Sequence, residues 1–136
     1  MEKKYLKKII AQSPDDLHVI SACCADAKIK VTDIKYLPST KIFLLYLSRF
    51  DKENDDKKSI NSILKFEFVD SSKSKNIDQD NPKLLLRLIA IDIFKREHNF
   101  EIIFLFSENR LITLTCEVIE ATLEDQKYIN DKSTKL

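Results

Sequence analysis

A chain of 136 residues without a single glycine has to make every reversal of direction from other residues. At the ordinary usage of about 7%, a chain this long would hold about nine or ten. Their absence passes the turns to Asn, Asp, Ser and Pro, of which Asn and Asp best tolerate left-handed backbone. It also removes whole classes of chemistry. Glycine-rich phosphate loops, of the P-loop and the dinucleotide kinds, need backbone without a Cβ where phosphate approaches. A nucleophile elbow of the usual form needs flanking glycines for the same steric reason.

Charge and length narrow the field further. The 23 basic and 22 acidic side chains leave a formal net charge of +1. No global field then draws in nucleic acid or an anionic membrane. With 43% hydrophobic and 33% charged residues the composition is that of a globular protein, not a disordered one. The length fits one domain, expected over residues 1–126, with a polar tail over 127–136. Cys23, Cys24 and Cys116 are odd in number and two are adjacent, which suits neither a disulfide framework nor a paired-cysteine zinc site and points to a reducing cytoplasm. No apolar run approaches the ~20 residues of a membrane span, and MEKKYLKKIIAQS lacks an apolar core of signal length.

Residues 13–27, SPDDLHVISACCADA, read as the one convincing amphipathic helix. Ser13 can accept a bond from the amide of Asp16, Pro14 suits the first helical position, and Asp15 and Asp16 put negative charge at the positive end of the dipole. At roughly 100° per residue, Leu17, Ile20, Cys24 and Ala27 share one face, with His18, Ser21 and Asp26 opposite. That places a helix over 14–27 with one face seeking a core.

Strands account for most of the rest. Residues 5–11 form a short apolar segment, with Lys3, Lys4, Lys7 and Lys8 as its polar part, and 28–31 and 34–37 read as extended before the turn at Pro38. KIFLLYLSRF, residues 41–50, is apolar in both phases, the pattern of a central strand covered on both faces. DKENDDKKS, 51–59, has no apolar residue and reads as an exposed loop. In residues 60–69, Leu64, Phe66 and Phe68 alternate with Lys65 and Glu67, so one face is buried. A second loop region covers 70–83, with a strand extension over 71–75, and 84–94 and 100–106 are again strands. Glu108 and Asn109 sit where a tight hairpin turn belongs, before a strand over 110–116 with Ile112, Leu114 and Cys116 inward. Residues 117–126 fit either a short helix or a bulged strand.

Four runs carry a resemblance: LHVISACCADAKIKVTDIKYLPSTKIFLLYLSRFD, ILKFEFVDSSKSKNID, LLLRLIAIDIF and ITLTCEVIEATLED. Together they are similar to an alphaproteobacterial family known as domain of unknown function 2948, from about Leu6 to Asp125. The most specific parts are the run from the helix to YLP, the Arg49-Phe50-Asp51 element and the segment from Cys116-Glu117 to Glu124-Asp125. The family tends to carry glycine where this chain has Asn76 and near Glu108-Asn109, both of them turns. The resemblance implies a bacterial cytoplasmic protein and brings no site residue, cofactor or mechanism.

Candidate chemistry is sparse. His18 and His98 lie 80 positions apart and read as surface imidazoles, so no metal site is expected. The cysteines read as small core residues, with no helix N-terminus to activate them. Arg87 and Asp92 interrupt the apolar 84–94 run, five apart, so an undisturbed strand aims them at opposite faces. Arg49 follows Phe43, Leu45 and Leu47 in phase. A buried charge needs a partner, and Asp33, Arg49 and Glu117 are the candidates for Arg87 and Asp92. Arg49, Arg87 and Asp92 are therefore the candidate ligand-binding cluster. Lys73 and Lys75, amid serines, could hold phosphate or nucleic acid, but no aromatic residues interleave with them to form a stacking platform.

The fold expected is α+β and strand-rich, with about seven mostly antiparallel strands in a curved sheet or sandwich and the early helix packed on it. A pleckstrin-homology-like barrel, with 117–126 as its closing helix, is the alternative. No catalytic residue, metal or cofactor is assigned. The leading function is a non-enzymatic cytoplasmic module that binds a protein partner, with no membrane role. A small-ligand binder or enzyme using Arg49, Arg87 and Asp92 is second, and a weak nucleic-acid binder through Lys73, Lys75 and the N-terminal lysines is third.

Overall fold

The computed structural model describes residues 6–51 and 55–128 and shows ten strands, one α-helix and one 3-10 turn. The strands are β1 (Lys8–Ala11), β2 (Lys28–Lys30), β3 (Ile34–Leu37), β4 (Ile42–Asp51), β5 (Asp55–Phe66), β6 (Val69–Lys75), β7 (Leu85–Lys95), β8 (Phe100–Phe106), β9 (Arg110–Cys116) and β10 (Ala121–Tyr128). They form one sheet in the order β1-β10-β5-β4-β2-β7-β8-β9-β6, with β3 lying beside β4, and their pairings are antiparallel. The sheet is rolled so that its two halves face each other: the Phe104 ring on β8 lies 5.7 Å from Phe43 on β4 and 5.6 Å from Phe66 on β5.

Helix α1 (Pro14–Cys24) starts as its sequence dictates. Ser13 Oγ accepts from the Asp16 amide at 3.1 Å, and Asp16 Oδ2 reaches back to the Gln12 amide at 3.1 Å. Leu17, Ile20 and Cys24 are fully buried, and the helix packs on β7 and β1 and touches β4. It ends at Cys24, earlier than Ala27, because Ala25 turns extended and Asp26 takes φ 69°. Ala27 remains in the core as part of the following chain. Among the described residues no helix is long and apolar enough to cross a membrane.

There are ten strands instead of about seven, for identifiable reasons. The polar 51–59 stretch, expected as a loop, contributes Asp55 to Ser59 to β5, where backbone pairing with β4 (Phe50 opposite Ser59) needs no apolar side chain. Residues 117–126 resolve as a turn and β10, so this segment is not a closing helix, and the pleckstrin-homology-like alternative that needs it as one falls. Within it Ala121 and Leu123 are buried but Val118 is exposed. Lys127 and Tyr128 belong to β10, and the expected tail beyond them lies outside the described residues, as do Lys3 and Lys4. Among the described residues the two-faced covering expected of β4 is also absent: Phe43, Leu45, Leu47 and Arg49 are buried, but Tyr46 on the other face is 41% exposed. The alternation ends at Phe68, which is exposed, at φ 60°, where the chain passes from β5 to β6.

Among the described residues six take positive φ: Asp26, Lys41, Phe68, Asn76, Glu108 and Asn109. Asn and Asp account for half, so the turns draw on a wider set than Asn, Asp, Ser and Pro. Glu108 and Asn109 form the two-residue turn between β8 and β9, both left-handed, as a type I′ turn requires. Glu gains nothing from that conformation, and its side chain is 74% exposed with only a 3.6 Å contact to Arg110. Glu108→Asn is therefore expected to add about 0.5–1 kcal/mol of stability. Thermal unfolding should shift upward by a few degrees; a downward shift would mean that the Arg110 contact outweighs the turn strain.

Candidate functional site

A groove of about 430 Å3 opens where the rolled sheet fails to close. One wall is β3 with the preceding 3-10 turn (Val31–Asp33), which presents Ile34 and Tyr36; the other is β6, which presents Ser72 and Ser74. Phe43 and Ile112 form its floor, and Ile77 and Gln79 overhang it. Register explains which side chains face inward. Ser72 and Ser74 stand opposite Leu114 and Ile112, and Tyr36 opposite Phe43, all of them on the core-facing side. At one end the walls are tied together: the Tyr36 hydroxyl donates to the Val69 carbonyl at 2.8 Å and the Val69 amide to the Lys41 carbonyl at 2.9 Å. From there they diverge. Among the described residues no strand pairs with the outer edge of β6 or with the edge of β3 away from β4. The lining includes no carboxylate, imidazole, thiol or amine; its polar groups are hydroxyls of Thr32, Tyr36, Ser72 and Ser74 and the Gln79 amide, which donates to Ser74 Oγ at 2.7 Å.

A second constellation is wholly buried. Arg49 on β4 grips Asp125 on β10 with two bonds, Nε to Oδ1 at 3.1 Å and Nη2 to Oδ2 at 2.7 Å. Ser62 on β5, between them, donates to Asp125 Oδ1 at 2.6 Å, and the Lys7 amide donates to Oδ2 at 2.9 Å. Arg49, Ser62 and Asp125 are only 3%, 2% and 6% exposed. Burial works against the Arg49 charge, but the hydrogen bonds and charge of Asp125 outweigh it and hold the guanidinium above its ordinary pKa. The network fastens the start of β1 and three strands together. It is too closed to meet a ligand and too saturated to leave Ser62 Oγ free.

The residues singled out from the sequence do not assemble. Arg87 lies opposite Lys28, which lies opposite Ser48, so Arg87 shares the outer face with Ser48 while neighbouring Arg49 points into the core. Arg87 pairs with exposed Asp26 at 2.7 Å. Asp92 is exposed on the same outer face as Arg87, contrary to the opposite-face expectation, because a bulge between Leu88 and Ala90 shifts the phase of β7. The helix caps that irregularity: Ser21 Oγ accepts from the Ile91 amide at 2.9 Å. Lys73 and Lys75 are exposed and lie opposite Thr113 and Leu111, outside the groove whose wall they share. His18 and His98 are both exposed. Asp125, the partner that Arg49 takes, is a position that the sequence pattern does not single out; its signal is that it stands in phase with Ala121 and Leu123, an inward row once 117–126 is read as strand.

A family model described as "Protein of unknown function (DUF2948)" matches residues 7–135. The chain belongs to that family. A search among curated proteins returns no match. Among solved structures, one described as "Crystal structure of an uncharacterized protein from Neisseria gonorrhoeae" is similar at 16% identity and a TM-score of 0.44, over 71% of this chain and 90% of that one. In this DUF2948 chain, Arg49-Phe50-Asp51 and the segment ending at Asp125, two parts through which the sequence resembles the family, supply the two ends of the buried ion pair. None of the DUF2948 chain's three cysteines is in a disulfide. Burial, helped by the Asp70 carboxylate, pushes the Cys116 thiol up to about 12, so it is a neutral packing group at physiological pH. No group of three or more metal-ligating side chains occurs among the described residues.

Proposed function

We propose that the protein is a non-enzymatic cytoplasmic interaction module that accepts an extended polypeptide segment in the groove between β3 and β6. One observation carries this reading: two strand edges that are unpaired among the described residues flank a recess whose hydroxyls have no carboxylate, imidazole or amine in its lining to activate them. Unpaired edges offer backbone donors and acceptors, and an added strand takes them up, while alternate side chains enter pockets between the walls. Here every second residue of the guest faces Phe43, Ile112 and the serine hydroxyls, and the others face outward beside Lys35, Lys73 and Lys75. That favours a guest that alternates apolar and acidic residues. Three cysteines outside any disulfide are consistent with a reducing compartment.

The test is titration of isotope-labelled protein with peptides of alternating Val and Glu, against peptides of alternating Val and Lys. The acidic series is expected to bind and to shift the amide resonances of Ser72, Ser74 and Tyr36. Proline at Ser72 and, separately, at Lys73 removes an outward amide in one case and a β9-paired amide in the other. The proline that leaves the fold intact should weaken binding at least about ten-fold. Shifts confined to other regions, binding indifferent to that proline, or tighter retention of an oligonucleotide at Lys73 and Lys75 would each overturn the reading.

A further inference from the structure

The outer face of β3, β4 and β5 is built from register alone into an apolar stripe, and no described residue covers it. Along β4, Ile42, Leu44 and Tyr46 point away from the core in succession. Leu37 lies directly opposite Ile42 on β3, and Ile63 directly opposite Tyr46 on β5, so the five side chains are continuous. Leu37 and Tyr46 are each 41% exposed. This is the second apolar phase that makes β4 read as a strand buried on both faces, and within the described residues only the first has a cover.

We infer that this face is a dimer interface between two copies of the chain. Two observations favour a second copy over a partner of one charge. First, the stripe is flanked by Lys8, Lys35 and Lys65 and equally by Glu67, Glu120 and Glu124, with Glu124 opposite Lys8 and Glu67 3.9 Å from Lys65. A surface carrying both signs in equal number is self-complementary under a two-fold axis, which sets the lysines of one copy against the glutamates of the other. Second, the size is right. Five strands spaced about 4.8 Å, with four residues in β1 and β3 and about seven in each of the others rising about 3.3 Å, give a face on the order of 450 Å2 in projection. Side-chain relief brings such a face near the roughly 800 Å2 that each partner of a stable interface covers. A concavity of about 290 Å3, lined by Ile10 and Ile63 and by the charged Lys8, Lys65, Glu120 and Glu124, gives it relief in which a facing charged side chain can seat. Two sheets packed face to face in this way reproduce the geometry of a β-sandwich core.

Sedimentation velocity over a dilution series tests the inference. The wild-type chain is expected to sediment at twice the chain mass when concentrated and to dissociate on dilution. Tyr46→Lys and Leu44→Lys should each weaken association at least about ten-fold, with circular dichroism unchanged. Leu44→Thr, which keeps strand propensity, serves if a lysine disturbs folding, and should weaken it less but measurably. Phe94→Lys, at an exposed aromatic on β7, should leave it as it was. A monomer at every concentration, an open-ended assembly, a dimer indifferent to the β4 variants, or equal sensitivity to Phe94→Lys would overturn the inference.

Discussion

An Arg49→Met variant is expected to lose about 3–5 kcal/mol of unfolding free energy, because it leaves the Asp125 carboxylate buried without its cation. The geometry sets the size of the effect. Asp125 is 6% exposed and receives both guanidinium bonds, the Ser62 hydroxyl and the Lys7 amide, so half its hydrogen bonds vanish and water cannot replace them. Asp125→Leu should be similarly damaging, since it strands the guanidinium. The informative variant is the combination of Arg49→Met, Ser62→Ala and Asp125→Leu, which removes the polar set as a unit. An apolar replacement of a buried pair is often neutral or better, so the triple variant is expected to recover roughly half or more of what either single variant loses. Urea unfolding of the wild type, the three single variants including Ser62→Ala, and the triple variant gives the coupling directly. Losses that simply add would show that the residues act independently and that the network is not one structural unit.

Where sequence and structure agree, a local rule sufficed. The start of α1 is marked by Ser13, Pro14, Asp15 and Asp16 at once, and β8 and β9 are bounded by the turn that Asn109 permits. Inward rows such as Ile112, Leu114 and Cys116 follow from period two within an unbroken strand. Disagreements arise where backbone pairing or a phase shift overrides side-chain pattern. The polar start of β5 is held by β4 and could not be seen in residues that carry no apolar signal. The bulge in β7 turns Arg87 and Asp92 to the same face, and its amide is answered by Ser21, some 70 residues away in sequence. Arg49 was legible as an inward charge, but its partner depended on whether 117–126 is strand. The groove lay beyond reach for a different reason: it is defined by what two non-adjacent strands fail to pair with, a property of topology that no window of sequence contains.

Phe104→Ala is expected to be as costly, at about 3–5 kcal/mol, and for the opposite physical reason. Phe104 is completely buried and its ring meets Phe43 at 5.7 Å, Phe66 at 5.6 Å and Phe106 at 6.4 Å, so it joins the two halves of the rolled sheet. Truncation removes apolar area and leaves a void that rigid strands on either side cannot close. Phe104→Leu keeps most of the volume and should lose on the order of 1–2 kcal/mol. A Phe43→Leu and Phe104→Leu cycle should show a coupling of about 0.5–1.5 kcal/mol from the ring contact. The consequence reaches the groove, because Phe43 is both Phe104's neighbour and the groove floor. Phe104→Leu should therefore weaken binding of the alternating Val and Glu peptide even in protein that remains folded, whereas Arg49→Met, acting at the β1 and β10 side of the sheet, should lower stability without changing affinity in the folded fraction. Equal effects of the two variants on affinity would mean that groove binding reports global stability and not the support of its floor.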